Sequence, residues 1–125
     1  MNTVFIMLGS NTNPIINLEL AKDNLSLYFQ IVSCSIMLST EPVGSHYLSP
    51  FLNIALEVQS RYMLEETKLI LKRIEVEMGR TQNSKQQGLI PIDIDLIFWN
   101  DDLLHRDYER FSFVKACVDQ LRFKT

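Results

Sequence analysis

The sequence predicts an α+β domain in which an antiparallel sheet carries helices on one face, with elements in the order βαββαβ. Three observations predict it. Apolar residues alternate with polar ones over residues 31–39, 52–60 and 92–98, at the period of half-buried strands. They recur at helical spacing over 14–29 and 64–78. The chain of 125 residues with 46% apolar content fits one domain, 1–125, around one core.

The first strand is the continuous apolar run "TVFIML", residues 3–8, closed by Gly9. Asn13 and Pro14 then read as a cap and first residue of a helix over 14–29, with Ile15, Leu18, Ala21, Leu25 and Phe29 as its core face. Residues 31–39 form the second strand, with Val32, Cys34, Ile36 and Leu38 on one side. A loop, "TEPVGSHYLSPF", leads to the third strand over 52–60. The second helix, 64–78, uses Leu64, Leu71, Ile74 and Met78 and stops at Gly79. Residues 79–90, "GRTQNSKQQGLI", are polar and bounded by glycine, and read as a long mobile loop of the functional kind. In the last strand Ile92, Ile94, Leu96 and Phe98 point one way and Asp93, Asp95 and Ile97 the other. Phe113, Val114, Cys117, Val118 and Leu121 mark a short C-terminal amphipathic helix. This is the ferredoxin-like arrangement, whose second sheet face is open to hold a site.

Composition excludes several functions. A net charge of −3 offers nothing to nucleic acid or an anionic membrane, and no apolar run reaches a membrane span of ~20 residues. The N-terminal "MNTVFIMLG" lacks the basic region of a signal peptide. Cys34 and Cys117 lack metal-ligand spacing and read as reduced and buried, which suits the cytoplasm. His46 and His105 stand apart from any cysteine or carboxylate at ligand spacing and receive no role.

Asp93 and Asp95 carry the chemistry. Two residues apart on a strand, they share a face at a separation of about 6.5–7 Å and repel each other. A hard cation relieves that repulsion, and Mg²⁺ favours carboxylate, phosphate and water oxygen together. The competing reading is a solvated strand face, the default for polar alternation. The polar loop directly before the pair, and Glu75 near the end of the preceding helix, weigh toward a site. Phe51 and Asn53 share a face at the start of the third strand, where a ring and a carboxamide suit a flat heterocycle. "LGSN", residues 8–11, is a weak anion loop or an ordinary strand–helix turn. Arg80 and Lys85 are the only cations of the 79–90 loop.

Taken in order, "GSN" (9–11), "STEPVG" (39–44), "FLN" (51–53), "IEVEMGR" (74–80) and "IDIDLIF" (92–98) resemble the 6-hydroxymethyl-7,8-dihydropterin pyrophosphokinase family over residues 1–100. The resemblance implies a βαββαβ core and transfer of pyrophosphate from ATP to the pterin hydroxymethyl oxygen, in folate biosynthesis. It implies that Asp93 and Asp95 hold two Mg²⁺ ions, with Arg80 and Asp95 in catalytic positions. Thr40, Val43, Phe51, Asn53 and Phe113 fall on the pterin pocket, and Glu75, Lys85 and Arg110 on the nucleotide side. The partners implied are the pterin and ATP alone. The chain departs from the family where loop arginines are expected: Gln82, Gln87 and Ile90 stand there. "HRDYERFSF" replaces the family's Pro-His-Pro-like segment, with Tyr108 and Arg110 as substitutes. Glu41 beside Pro42, where two prolines are expected, leaves a related substrate open. Two readings therefore stand side by side: a divergent pyrophosphokinase, and a non-catalytic pterin- or nucleotide-binding relative that has lost its loop cations.

Overall fold

A computed structural model describes residues 1–42 and 49–123. Six antiparallel strands form one sheet: β1 (Asn2–Ser10), β2 (Gln30–Cys34), β3 (Leu38–Thr40), β4 (Phe51–Ser60), β5 (Asp93–Trp99) and β6 (Asp102–Leu103). Their order is β2-β4-β1-β5-β6, with β3 continuing the β2 edge along β4. The apolar run of β1 is explained by its place at the centre, paired with β4 on one side and β5 on the other.

Helices α1 (Pro14–Ser26) and α2 (Leu64–Glu77) cover one face. Leu18, Ala21 and Leu25 of α1, with Leu71 and Ile74 of α2, close over Val4, Ile6, Leu8, Leu56, Ile92 and Ile94. Ile15, expected in that core, faces solvent, and Phe29 reaches the core from the turn beyond the helix. Asn13 takes the cap position in the left-handed conformation (φ 40°, ψ 56°) without a side-chain cap; its carbonyl accepts the first helical bond from the Asn17 N–H at 2.9 Å.

Two bulges correct the strand readings. Between Ile31 and Ser33 the pairing with β4 slips by one residue, so Val32 has no opposite number. The slip turns Ser35 inward, where its hydroxyl accepts from the Ala55 N–H at 2.8 Å, and leaves Val32, Cys34 and Ile36 exposed. The single strand expected over 31–39 is thereby split into β2 and β3, and Cys34 is not buried, whereas Cys117 is. On β5, Phe5 pairs with Phe98 and Ile6 with Leu96, so Ile97 is the extra residue. Phe98 consequently joins Ile97 on the second face instead of following Leu96.

That second face is only half open. α4 (Asp107–Arg110) and α5 (Ser112–Arg122) lie over it, with Val114, Cys117, Val118 and Leu121 packed on Phe5, Met7, Ala55, Ile97 and Phe98. The C-terminal helix, expected as an appendage, is the lid of a second core. Residues 79–90 also hold more structure than a loop: α3 (Gln82–Gln86) starts at a reciprocal cap in which Thr81 and Ser84 exchange side-chain and backbone bonds. Gly79, at φ +96°, ends α2 as expected.

Candidate active site

The part of the second face left uncovered by α5 is a cleft of about 290 Å³. Strand pairing builds its floor. Leu38, Asn53, Gly9 and Asp93 stand abreast across β3, β4, β1 and β5, with Ala55, Met7 and Asp95 in the next row. Thr40 and Phe51, paired with each other, extend the floor at one end. Arg110, Phe111 and Phe113 come down from α4 and α5 to form the wall. Thus Thr40, Phe51, Asn53, Asp93, Asp95, Arg110 and Phe113, spread over 74 positions of sequence, line one volume. Val43 and His46 lie outside the described residues.

The amide of Asn53 is fixed by its surroundings. Its Nδ2 donates to the Leu38 carbonyl at 3.2 Å and to Thr40 Oγ1 at 2.8 Å, which spends both protons on β3. Its Oδ1 lies over Gly9, where a Cβ would stand 3.1 Å away. Gly9 is therefore needed for the close approach of strand and carboxamide. On the wall, Phe111 and Phe113 stack at 5.8 Å, and the Arg110 guanidinium covers Phe111 at 4.8 Å.

Carboxylates crowd the other end. Arg80 Nη1 donates to Asp93 Oδ1 at 2.6 Å and to Glu75 Oε2 at 2.8 Å. Glu75 Oε2 also accepts from the buried Ile94 N–H at 2.7 Å. Burial opposes charge on Arg80, but Asp93 first, then Glu75 and Asp95, hold the guanidinium firmly protonated. Burial pushes the Glu75 carboxyl up; the Ile94 amide and Arg80 work against that shift. Asp95 is pushed up to about 8, first by burial, next by the charge and hydrogen bond of Asp93, then by Asp107 and Glu75. The two aspartates thus converge, as the strand spacing predicts, and neither is splayed into solvent.

His105 corrects the sequence reading. The β5–β6 hairpin returns it to the site, with Nε2 3.6 Å from Asp95 Oδ1. Its Nδ1 accepts from the Asp107 N–H at 3.2 Å, which leaves Nε2 facing Asp95. A two-residue offset between His105 and Asp107 was the available signal; the ten residues separating His105 from Asp95 hid the rest. Asp95, His105 and Asp107 bring ligand atoms within 4.8 Å of one another. Of these three, Asp95 and Asp107 offer the carboxylate oxygens that suit a hard divalent cation. His105 has its Nδ1 engaged by the backbone amide of Asp107.

Other expected residues fall elsewhere. Lys85 sits in the last turn of α3 and does not line the cleft. Glu75 holds Arg80 and lines the neighbouring groove that shares Asp95, not the aromatic cleft. Tyr108 is buried against Phe98, its hydroxyl donating to Asp119 Oδ1 at 2.5 Å, so it belongs to the second core and not to the site. "LGSN" is no anion loop: Asn11 Oδ1 accepts from the Ile90 N–H at 2.6 Å and its Nδ2 donates to the Gly88 carbonyl at 2.8 Å, which ties down the end of the 79–90 segment. Ile90, at the position where an arginine was expected, is a buried residue in that clamp.

The fold is thus a ferredoxin-like α+β domain in which an aromatic and carboxamide cleft runs into a carboxylate cluster. Residues 5–122 match the family model described as 7,8-dihydro-6-hydroxymethylpterin-pyrophosphokinase (HPPK), and the chain belongs to that family. It is 35% identical over 132 residues to the folate synthesis bifunctional protein of Arabidopsis thaliana, covering 94% of this chain and 27% of that one. It is 30% identical over 105 residues to the 2-amino-4-hydroxy-6-hydroxymethyldihydropteridine pyrophosphokinase of Aquifex aeolicus (strain VF5), covering 83% and 65%. The chain therefore spans about a quarter of one relative and just under two thirds of the other. Among solved structures, a Plasmodium falciparum HPPK-DHPS triple mutant with SDX-DHP superposes at a TM-score of 0.62 and 16% identity, over 96% of this chain and 36% of that one. A second HPPK-DHPS variant, with pteroate, gives 0.61 at 16% identity. These likenesses show the fold.

Proposed function

We propose that this domain transfers pyrophosphate from ATP to 6-hydroxymethyl-7,8-dihydropterin, with Mg²⁺, as a step of folate biosynthesis. The observation that carries the proposal is the continuity of one cleft from Phe51 and Asn53 to Asp93 and Asp95. A flat heterocycle fits between Phe51 and Phe113, and Asn53 Oδ1, its amide protons already spent, accepts from a ring N–H. The hydroxymethyl group would then face the acids.

Asp93 and Asp95 would hold two Mg²⁺ ions, with Asp107 beside them. When bound, such ions neutralise the phosphate oxygens and make the β-phosphorus open to attack. The chain's own residues do the remaining work. Arg80, already charged between Glu75 and Asp93, is the loop cation placed to meet a phosphate. Arg110 adds donors on the opposite side. Asn11 anchors the far end of the 79–90 segment, so that segment can close over the cleft between fixed ends at Gly79 and Ile90. Positioning of the hydroxymethyl oxygen for in-line attack supplies much of the rate, and no general base is assigned. No helix among the described residues is long and apolar enough to cross a membrane. We place the domain in the cytoplasm with its small-molecule substrates.

A second reading rests on Gln82, Gln87 and Ile90: a relative that binds pterin or nucleotide without turnover. An assay of AMP release with hydroxymethyl-dihydropterin, ATP and Mg²⁺ separates the two. Release that disappears in Asp95→Ala supports transfer. Pterin binding with no AMP overturns transfer and leaves the binding module.

A further inference from the structure

The helix layer on the first face of the sheet is apolar on both sides. Leu18, Ala21 and Leu25 of α1 enter the core, yet Ile16, Leu20 and the cap residue Leu27 follow its outer pole. α2 does the same with Leu69 and Val76, and with Met63 at its N-terminal cap. These six side chains are between 47% and 75% exposed. A helix that keeps its outer pole in water ordinarily makes that pole polar. Apolar residues gathered there on two adjacent helices mark a contact surface.

The two apolar stripes are in register. α1 follows β1, α2 follows β4, and those strands are antiparallel, so the helices run in opposite directions. Phe29, just past α1, meets Tyr62, just before α2, with ring centroids 6.1 Å apart. Counting back from that contact at ~1.5 Å per residue sets Leu27 level with Met63, Leu20 with Leu69 and Ile16 with Val76, each within about two residues. The same count sets Asp23 level with Lys68 and Glu19 with Lys72. Within one chain these charges lie on opposite edges of the layer. Glu19, bonded to Lys22 at 2.9 Å, is on the side of α1 toward Cys34 of β2, with Asp23 beside it. Lys68 and Lys72 edge α2 on the side toward β5.

We propose that a second copy of this chain lays its own helix layer on this one, as a symmetric homodimer. A twofold axis along the helices, midway between α1 and α2, seats α1 on the partner's α2 and keeps every level. Leu27, Leu20 and Ile16 then meet the partner's Met63, Leu69 and Val76. Asp23 faces the partner's Lys68, and Glu19 the partner's Lys72, so opposite charges close both rims around an apolar centre. Both lysines are loosely held within the chain, Lys68 at 3.7 Å from Glu65 and Lys72 at 4.0 Å from Glu75. An axis across the helices would set α1 on α1 and α2 on α2, with acids against acids and lysines against lysines, so the charge pattern selects the first arrangement. The layer is about 20 Å long and two helices wide, at the small end of specific interfaces, so the dimer is reversible with a dissociation constant on the order of 10 µM. It leaves the aromatic cleft, on the other face of the sheet, open, and it does not depend on the reaction proposed there.

The test is analytical ultracentrifugation of the full chain from about 1 to 200 µM, a range that brackets the expected constant, with far-UV circular dichroism of each variant to show that it is folded. The wild-type chain should pass from monomer to dimer across that range, and added salt should shift the transition upward. Leu20→Glu and Leu69→Glu, both at exposed positions, should each hold the chain monomeric throughout. Asp23→Lys should weaken the dimer about tenfold, and Asp23→Lys combined with Lys68→Glu should restore it, because the swap rebuilds the pair across the interface. A wild-type chain still monomeric at the highest concentration would overturn the proposal. So would a dimer that survives Leu20→Glu and Leu69→Glu together, since it must use another surface. A charge swap that fails to restore the dimer would overturn the seating of α1 on the partner's α2.

Discussion

Replacing Glu75 by alanine should destabilise the domain by about 3 kcal/mol, and the sum can be built bond by bond. Glu75 is buried, and its Oε2 serves the Ile94 N–H at 2.7 Å and Arg80 at 2.8 Å. Ile94 lies where β5 has no neighbour on its outer side, because β6 pairs only with Phe98 and Trp99. With alanine in place, that amide is buried without an acceptor, at a cost of about 1–3 kcal/mol. Loss of the bond to Arg80, a quarter exposed and still held by Asp93, adds about 1 kcal/mol after solvent screening. The cavity left by the missing side chain adds about 1 kcal/mol more. Against these stands the relief of desolvating a carboxylate, since burial raises its pKa. Glutamine keeps a carbonyl for Ile94 and a similar volume, so Glu75→Gln should cost about half as much, ~1–2 kcal/mol. Urea unfolding at pH 7, with slopes matched between variants, measures both. If Glu75→Gln proves as damaging as alanine, the charge and not the amide acceptor is what matters. If both lie within 0.5 kcal/mol of wild type, the account of the β5 edge is wrong.

Two further outcomes follow from the same geometry. Asp95 has its folded pKa raised from 3.8 to about 8, so between those values the folded state binds more protons than the unfolded. The stability of the metal-free protein should therefore fall as pH rises from about 4 to 8. In a chelator, Asp95→Asn should melt higher than wild type at pH 8, with the gap closing toward pH 4; parallel melting curves across that range would refute the burial of Asp95. Gly9→Ala should push the Asn53 carboxamide by a few tenths of an ångström, because its Cβ would stand 3.1 Å from Oδ1. Pterin affinity is expected to fall about tenfold with little change in melting temperature, and an equal loss of both would show that the pair is structural only.

Much of the site could be read in the chain because strand period is local. Asp93 and Asp95 share a face by pleat alone, and so do Phe51 and Asn53. The two helices, expected over 14–29 and 64–78 and found over Pro14–Ser26 and Leu64–Glu77, and the stop at Gly79 needed only periodicity and turn residues. What failed did so for identifiable reasons. A bulge inserts one residue and reverses every side chain after it, so Cys34 and Phe98 landed on faces opposite to those expected. No periodicity announces where such a slip occurs. Asn11 looked like part of an anion loop until the Gly88–Ile90 backbone, 77 to 79 residues away, was seen to use its amide.

The sequence by itself determined the elements, the paired acids and the ring-and-amide pair, since each depends on neighbours within a turn or a strand. Only the tertiary structure decided which of these meet. Closing the sheet with β1 between β4 and β5 put Gly9 between Asn53 and Asp93, and so joined a heterocycle cleft to an acid cluster. Folding back of the β5–β6 hairpin brought His105 to Asp95. Burial then raised the Asp95 carboxyl, a property of the surrounding low-dielectric volume and not of any stretch of chain.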